Sequence, residues 1–332
     1  MDDPSCDLWI MIHNSIFQHT VPASRIMNRM KVLLTGATGF IGSAVVTRLL
    51  NADHEVTALV RDVEKARERL GDMVQIERVV AEDDQLDLLI SVSDAVINLA
   101  GEPVIGSRWS ESRKTALRES RVDLTRRLVE SIGRSDSPPS VMVSASAVGY
   151  YGDGQETILD ENAPAGDGFL AELSRDWENA ALQARQSGVR VACPRIGVVL
   201  GLGGGALEKM LLPFRLGLGG PVGSGRQYVP WIHLDDVVGM IVTALSNERF
   251  DGPFNATSPQ PVTFRDFAKT LGGQLGRLAV LPVPGFGLKL LFGEASEVLL
   301  AGQRAVPNAA STAGYNFKFV SLKAALADLL SK

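Results

Sequence analysis

The stretch Lys31-Val-Leu-Leu-Thr-Gly-Ala-Thr-Gly-Phe-Ile-Gly42 decides how this chain folds. Its first five residues form an unalternating, mostly apolar run, the pattern of a strand buried on both faces. Gly36, Gly39 and Gly42 follow in G-x-x-G-x-x-G spacing, and Phe40 to Leu50 repeats its apolar residues at helical intervals. Strand, glycine turn and helix in that order predict a dinucleotide site. The first glycine permits a tight turn off the strand, the second lets backbone approach a pyrophosphate, and the third lets the helix pack close to the strand. The amides around Thr38, Phe40 and Ile41, at the free start of the helix, would face the phosphates.

The same alternation continues outward. Strands are expected at Glu55–Val60, Val74–Val79, Ala95–Leu99, Val141–Ser144 and Val189–Arg195, with helices at Asp62–Leu70, Ser110–Ile132 and Leu170–Gln186. This is an α/β chain, and its residues 30–200 predict a Rossmann-type, doubly wound parallel sheet. Ligands bind such sheets at the carboxyl ends of the strands, where Gly36, Arg61, Ala100, Ser144 and Arg195 all fall. Beyond residue 200 the composition changes, with nine glycines between Gly201 and Gly225. Residues 201–332 are therefore expected to form a smaller substrate lobe over the strand ends. Residues 1–29 hold only a short apolar run, Leu8 to Ile12, and no sustained period; they are expected to be a disordered extension.

The 332 residues are 45% apolar and 21% charged, which suits a globular chain, and no stretch reaches the ~18 apolar residues of a membrane span. A net charge of −5 argues against a general nucleic-acid or anionic-membrane binder. Cys6 and Cys193 are far apart, and the four histidines form no cluster, so neither a disulfide nor a metal site is expected. A reducing, cytoplasmic setting fits, with organellar import left open by the extension.

The end of the second strand reads Leu59-Val60-Arg61-Asp62. An acid directly after that strand would bind the adenosine ribose of NAD, and an arginine would accommodate the 2′-phosphate of NADP. Arg61 favours NADP over NAD; the competing reading is a solvated loop arginine. Asp62 is placed to cap the next helix.

Taken together these residues resemble the short-chain dehydrogenase/reductase superfamily in its extended or atypical branch. Asn98-Leu-Ala-Gly101 is similar to its strand-four motif, Ser144 to Gly152 to its catalytic-serine strand, and Trp231-Ile-His-Leu-Asp-Asp236 to an element of the substrate lobe of sugar-nucleotide epimerases. The resemblance narrows with Gly101-Glu-Pro103, Ser120-Arg121, Ser146-Ala-Val-Gly-Tyr-Tyr-Gly152, Asp176-Trp-Glu178, Phe214 to Gly220, Gly223-Ser-Gly-Arg-Gln227 and Gly302-Gln-Arg304. These look like the SDR39U1/YfcH-type epimerase family, which ends in a small extra domain, here at about residues 282–330. The resemblance implies that Val60 and Arg61 meet the adenosine phosphate and that Leu99, Ala100 and Gly101 line the cofactor. It also puts Arg121 where extended members carry an asparagine facing the site; the competing reading is a helix-surface salt bridge.

Superfamily chemistry uses Ser, Tyr and Lys, with the tyrosine and lysine one helical turn apart. Aligning Glu178 with the usual acid puts Leu170 where Tyr belongs and Ser174 where Lys belongs, so the pair is absent. Ser146 keeps its place as the candidate catalytic residue. Tyr150 or Tyr151 would offer a phenol toward substrate, against the plainer reading of a tyrosine packed under the loop. His233 is read as structural. Gly217 to Gly225 with Arg226, Gln227 and Trp231 would cover the substrate pocket, Arg226 suiting an anionic or polar ligand; a surface arginine beside a structural loop is the competing reading. Two functions follow: an NADP-dependent oxidoreductase or epimerase-like enzyme for a small polar substrate, or an NADP(H)-binding regulatory or scaffold protein without turnover, a class in which relatives carry a cell-division label.

Overall fold

The computed structural model describes residues 29–79 and 83–331; the expectation for the extension before residue 29 lies outside the described residues. In chain order the first part holds β1 (Lys31–Thr35), α1 (Phe40–Leu50), β2 (Glu55–Val60), α2 (Val63–Leu70), β3 (Gln75–Arg78), α3 (Asp83–Ser91), β4 (Ala95–Asn98), α4 (Glu111–Arg118) and α5 (Leu124–Arg134). Then come β5 (Val141–Ser144), β6 (Ser146–Ala147), β7 (Ile158–Leu159), α6 (Phe169–Leu182), β8 (Arg190–Ile196), β9 (Val198–Leu200) and α7 (Gly205–Arg215). The remainder holds β10 (Tyr228–Val229), β11 (Trp231–His233), α8 (Leu234–Ser246), β12 (Gly252–Ala256), β13 (Val262–Thr263), α9 (Phe264–Gln274), α10 (Gly285–Phe292), α11 (Glu297–Leu300), β14 (Arg304–Ala305), α12 (Asn308–Thr312) and α13 (Leu322–Leu330).

The main sheet runs β12-β8-β5-β4-β1-β2-β3, with β6 continuing the pairing on β8, and every pairing in it is parallel. Chain order reverses between β1 and β4, which opens the cleft of a doubly wound sheet above their carboxyl ends. Side chains alternate across the sheet. Val32 and Leu34 join the core shared with Val45 and Leu49 of α1 and Ile241 of α8, whereas Leu33 joins the opposite layer with Ile90, Leu128 and Ala181.

The sheet does not end at residue 200. Gly252–Ala256, expected in the lobe, is the edge strand β12 beside β8, and Phe254 and Ile241 are buried in the sheet's own core. The chain therefore leaves the main sheet after β8 and returns through α8 to β12. The separate lobe core gathers Leu211, Phe214, Trp231, Phe267 and Leu326 from α7, β11, α9 and α13. Asp236 fastens the carboxyl-terminal segment to α8: its carboxylate accepts from Lys318 N at 2.7 Å and from Phe319 N at 2.9 Å.

The helix expected to run unbroken from Ser110 to Ile132 contains one π-turn, Glu119–Asp123, between α4 and α5. Thr125 Oγ1 donates to the Arg121 carbonyl at 2.6 Å and accepts from Asn98 Nδ2 at 2.8 Å and from Trp177 Nε1 at 3.0 Å. Asn98 Oδ1 accepts from Thr35 Oγ1 at 2.7 Å, and its amide also reaches Ser144 Oγ at 3.1 Å. This knot of buried side chains registers β1, β4, β5 and α5 against one another, and every member of it has a hydrogen-bond partner.

A second buried network joins α6 to β8. Arg195 donates through Nε to Glu178 Oε1 at 2.8 Å and through Nη2 to Glu178 Oε2 at 2.9 Å, with both side chains at most 5% exposed. Removing one partner of such a pair strands the other charge in the interior. Arg195→Met is expected to cost about 3–5 kcal/mol of unfolding free energy, and Arg195→Met combined with Glu178→Leu distinctly less. Urea unfolding followed by circular dichroism measures both; a single variant as stable as the double would refute this role.

Candidate functional site

Above the carboxyl ends of β1, β4, β6 and β8 lies a cavity of about 530 Å³. The glycine turn floors one end of it through Gly36, Gly39, Phe40, Ile41 and Gly42. Gly36 has φ +73°, and a Cβ there would stand 2.6 Å from the Leu99 carbonyl. At Gly42 a Cβ would meet the Gly36 carbonyl oxygen at 2.1 Å, so only glycine lets α1 pack this close. Gly39 is exposed at the start of α1, where no side chain caps the helix and no acid stands in the first turn. Those free amides and their positive pole fit a pyrophosphate. Thr38 sits half-buried in the same turn. The ring of Phe40 is seated on Gly201, Gly204 and Gly205, which gives the first glycines of the later segment a packing role.

Leu99, Ala100 and Gly101 continue along the wall. Val60 is buried in the sheet, while the Arg61 side chain is 84% exposed and pairs with Glu102 Oε1 at 2.8 Å. Arg113 Nη1 reaches the other oxygen of Glu102 at 3.4 Å. Hydrogen bonding from Arg61 leads the effects that hold the Glu102 carboxyl below the usual carboxylate range, with Arg113 adding to it. Arg61 thus stands at the second-strand end with its charge already engaged.

Arg121 is on the cavity wall, projecting from the π-turn. Its guanidinium lies against Gly101, donates to the Glu102 carbonyl at 2.8 Å, and stands 5.4 Å from the centre of the Trp177 ring. No acidic side chain pairs with it among the described residues. Burial, with the nearby Arg113 charge, pushes its pKa down to about 10 against the pull of Glu102. The salt-bridge reading of Arg121 is therefore not what the structure contains.

Ser146 is buried on the wall, 2% exposed, and donates to Glu178 Oε1 at 2.6 Å. The network then runs from Glu178 through Arg195 to Tyr151, whose hydroxyl accepts from Arg195 Nη1 at 2.9 Å. That hydroxyl also lies 2.8 Å from Asn255 Oδ1 and 3.0 Å from the Asp160 carbonyl. Tyr151 is off the cavity wall, and burial pushes its phenol up to about 12. It packs beneath the site, as Tyr150 does under the Arg195 guanidinium at 3.6 Å.

The expected pocket cover is also corrected. Trp231 is fully buried in the lobe core and donates to the Gln260 carbonyl. Gln227 ties Val222 to Leu299 through their carbonyls, and Arg226 is exposed beside Ser224. None of the three lines the cavity, because residues 219–223 pair with residues 281–283 instead of folding over it. The cover comes from Gly205 and Ala206, from Pro230, and from Glu297, Val298, Ala301 and Gln303 of the carboxyl-terminal segment. Gln303 belongs to the Gly302–Arg304 motif and donates to the Gly152 carbonyl at 2.6 Å, so the sequence carried a signal for it. Glu297 carried none. On α6 the wall is Leu170, Leu173, Ser174 and Trp177; no tyrosine or lysine lines the cavity among the described residues. His233 caps α8 through Nδ1 and packs on Phe319, away from the cavity.

This geometry has close counterparts. Residues 32–256 match the NAD dependent epimerase/dehydratase family, and residues 283–329 match a domain of unknown function, DUF1731. The chain is 43% identical over 310 residues to "Epimerase family protein SDR39U1 homolog, chloroplastic" of Arabidopsis thaliana, covering 93% of this chain and 89% of the relative. It is 35% identical over 304 residues to the epimerase family protein YfhF of Bacillus subtilis, with 91% and 98% covered. The crystal structure of human SDR39U1 (isoform 2) with NADPH superimposes with a TM-score of 0.82 at 39% identity, over 91% of this chain and 99% of that one. A UDP-glucuronic acid 4-epimerase of Bacillus cereus, at 18% identity and a TM-score of 0.73, shares the fold. With its glycine turn, parallel sheet and terminal segment so matched, the chain belongs to the NAD dependent epimerase/dehydratase family, among the SDR39U1-type epimerase family proteins that end in the DUF1731 domain.

Proposed function

We propose that this protein is an NADP(H)-dependent oxidoreductase or epimerase-like enzyme acting on a small polar molecule at Ser146. One observation carries the reading: a single cavity joins the glycine turn at one end to Ser146 at the other. The bound dinucleotide would supply or accept the hydride. The chain's own residues do the rest. The free amides of α1 hold the pyrophosphate, and Leu99, Ala100 and Gly101 line its path. Arg61 exchanges Glu102 for the 2′-phosphate, while Arg113 remains to neutralise Glu102. Arg121 offers an unneutralised cation to the cofactor or to an anionic group beside it. Ser146 donates its hydrogen bond to Glu178, so its lone pairs remain for the ligand and suit a substrate hydroxyl.

The second reading, a nucleotide-binding scaffold or regulator without turnover, draws support from the absence of tyrosine and lysine on the cavity wall. Among the described residues no helix is long and apolar enough to cross a membrane. A cytoplasmic setting is the simplest, and the chloroplastic name of the plant relative makes import through residues 1–29 its alternative.

NADPH is expected to bind more tightly than NADH by calorimetry, and Arg61→Ala to remove roughly 10- to 100-fold of that preference, the worth of a charged phosphate contact. Equal affinity of the wild type for the two would sink the Arg61 assignment. Ser146→Ala is expected to leave NADPH affinity intact and to weaken the binding of hydroxyl-bearing aldehydes and ketones about 10-fold, read as a higher KM for NADPH oxidation. A wild-type KM in that variant would remove the serine from substrate binding.

A further inference from the structure

The cavity wall carries two charged side chains among the described residues, Arg121 and Glu297. Glu297 opens α11 in the carboxyl-terminal segment, and its carboxylate has no hydrogen-bond or ion-pair partner among the described residues. It reaches back across the chain to the start of α6. A Cβ added at Gly168 would lie 3.3 Å from Glu297 Oε1. Leu170, which occupies the place of the superfamily tyrosine, follows two residues later and lines the same cavity. The carboxylate thus stands at the end of α6 where the proton-transferring phenol is missing.

We propose that Glu297 is the acid/base residue of this site, delivered by the carboxyl-terminal domain in place of the absent Tyr-Lys pair. The proposal rests on the enzymatic reading above. In the reducing direction, the hydride from NADPH bonds to the carbonyl carbon of the substrate and the C=O π pair passes to oxygen. That oxygen takes the proton of the Glu297 carboxyl, whose O–H bond breaks. The products are an alcohol, NADP⁺ and the Glu297 carboxylate, which regains a proton from solvent. In the oxidising direction the carboxylate takes the hydroxyl proton as the hydride leaves. Ser146, with its hydrogen bond committed to Glu178, can accept from a second hydroxyl of the substrate and leaves proton transfer to Glu297.

The surroundings suit the role. Burial leads, and the charges of Asp153 and Glu294 add, in raising the Glu297 carboxyl above its ordinary range. Glu294 is partly neutralised by Lys114 at 2.6 Å, and Asp153 accepts from Gly302 N at 3.0 Å. Glu172, in the first turn of α6, pairs with Arg118 at 3.3 Å. A carboxyl that keeps its proton closer to neutrality is a better acid for a carbonyl. The positive pole of α6 acts in the opposite sense and makes the ionised form accessible during turnover.

The plainer role for Glu297 is to fill the uncapped start of α6, since Gly168 offers no side chain there. Glu297→Gln separates the two, because it keeps size and hydrogen bonding but cannot exchange a proton. In the cofactor-free protein, carbon-13 NMR of labelled glutamate, assigned by comparison with Glu297→Gln, should show this carboxyl titrating above the ordinary ~4.3 of glutamate. With 9,10-phenanthrenequinone and a panel of small aldehydes and ketones, Glu297→Gln should lower NADPH oxidation by about 10²- to 10⁴-fold at unchanged NADPH affinity, and Glu297→Asp should recover part of it. A carboxyl titrating at or below the ordinary value, or full activity in Glu297→Gln, overturns the assignment while leaving the enzymatic reading standing. A wild type that binds NADPH yet oxidises it with none of these carbonyls overturns the enzymatic reading, and the role of Glu297 with it.

Discussion

The buried pair of Glu178 and Arg195 is the constraint on which the site depends. Two charges taken out of water are tolerated only when geometry and hydrogen bonding repay their lost hydration. Here three donors of the guanidinium are directed, two at the carboxylate and one at the Tyr151 hydroxyl, with the Tyr150 ring beneath. Because Glu178 belongs to α6 and Arg195 to β8, the pair sets the distance between helix and sheet. It also sets the direction of Ser146, which donates its hydrogen bond to Glu178, and it consumes Tyr151 as a structural phenol. A tyrosine whose hydroxyl is shared among Arg195, Asn255 and a carbonyl, and whose pKa burial raises to about 12, is a poor proton donor near neutrality.

The consequence is an apolar wall where superfamily chemistry would be expected. Leu170 and Leu173 face the cavity from α6, flanking Ser174. The polarity of the site comes instead from the two ends of the chain's path. Arg121 enters through a π-turn inside an otherwise regular helix, and Glu297 and Gln303 enter from the segment that follows the lobe. The π-turn needs no Pro or Gly. Its stability lies in Thr125, which takes the Arg121 carbonyl while accepting from Asn98 and Trp177. Asp236 fastens Lys318 and Phe319 to α8, and Gln227 holds Leu299 next to the cavity, so one residue read as a substrate contact turns out to position the cover.

Much of the fold was legible because its demands are local. The glycine turn, α1 and β2 follow from spacing within a few residues: positive φ at Gly36, close approach at Gly42, and an apolar strand on either side. Asp62 caps α2 by accepting from Lys65 N, as its place after a strand suggests. The edge strand Gly252–Ala256 was not legible, since five residues beginning Gly-Pro carry little periodicity and belong to the sheet only through pairing with β8. The lobe residues Arg226, Gln227 and Trp231 form a recognisable motif, but a motif does not say which side of it faces a cavity.

The sequence by itself determined the strand-turn-helix order, the glycine turn and the family, because each is written in adjacent residues or in residues one helical turn apart. Tertiary structure alone decided that Ser146 answers to Glu178, 32 positions away, that Arg121 swings onto Gly101, and that Glu297 returns from the carboxyl-terminal domain to the start of α6. Those contacts depend on which strands become neighbours and how helices pack across them, and periodicity holds no record of partners so far apart along the chain.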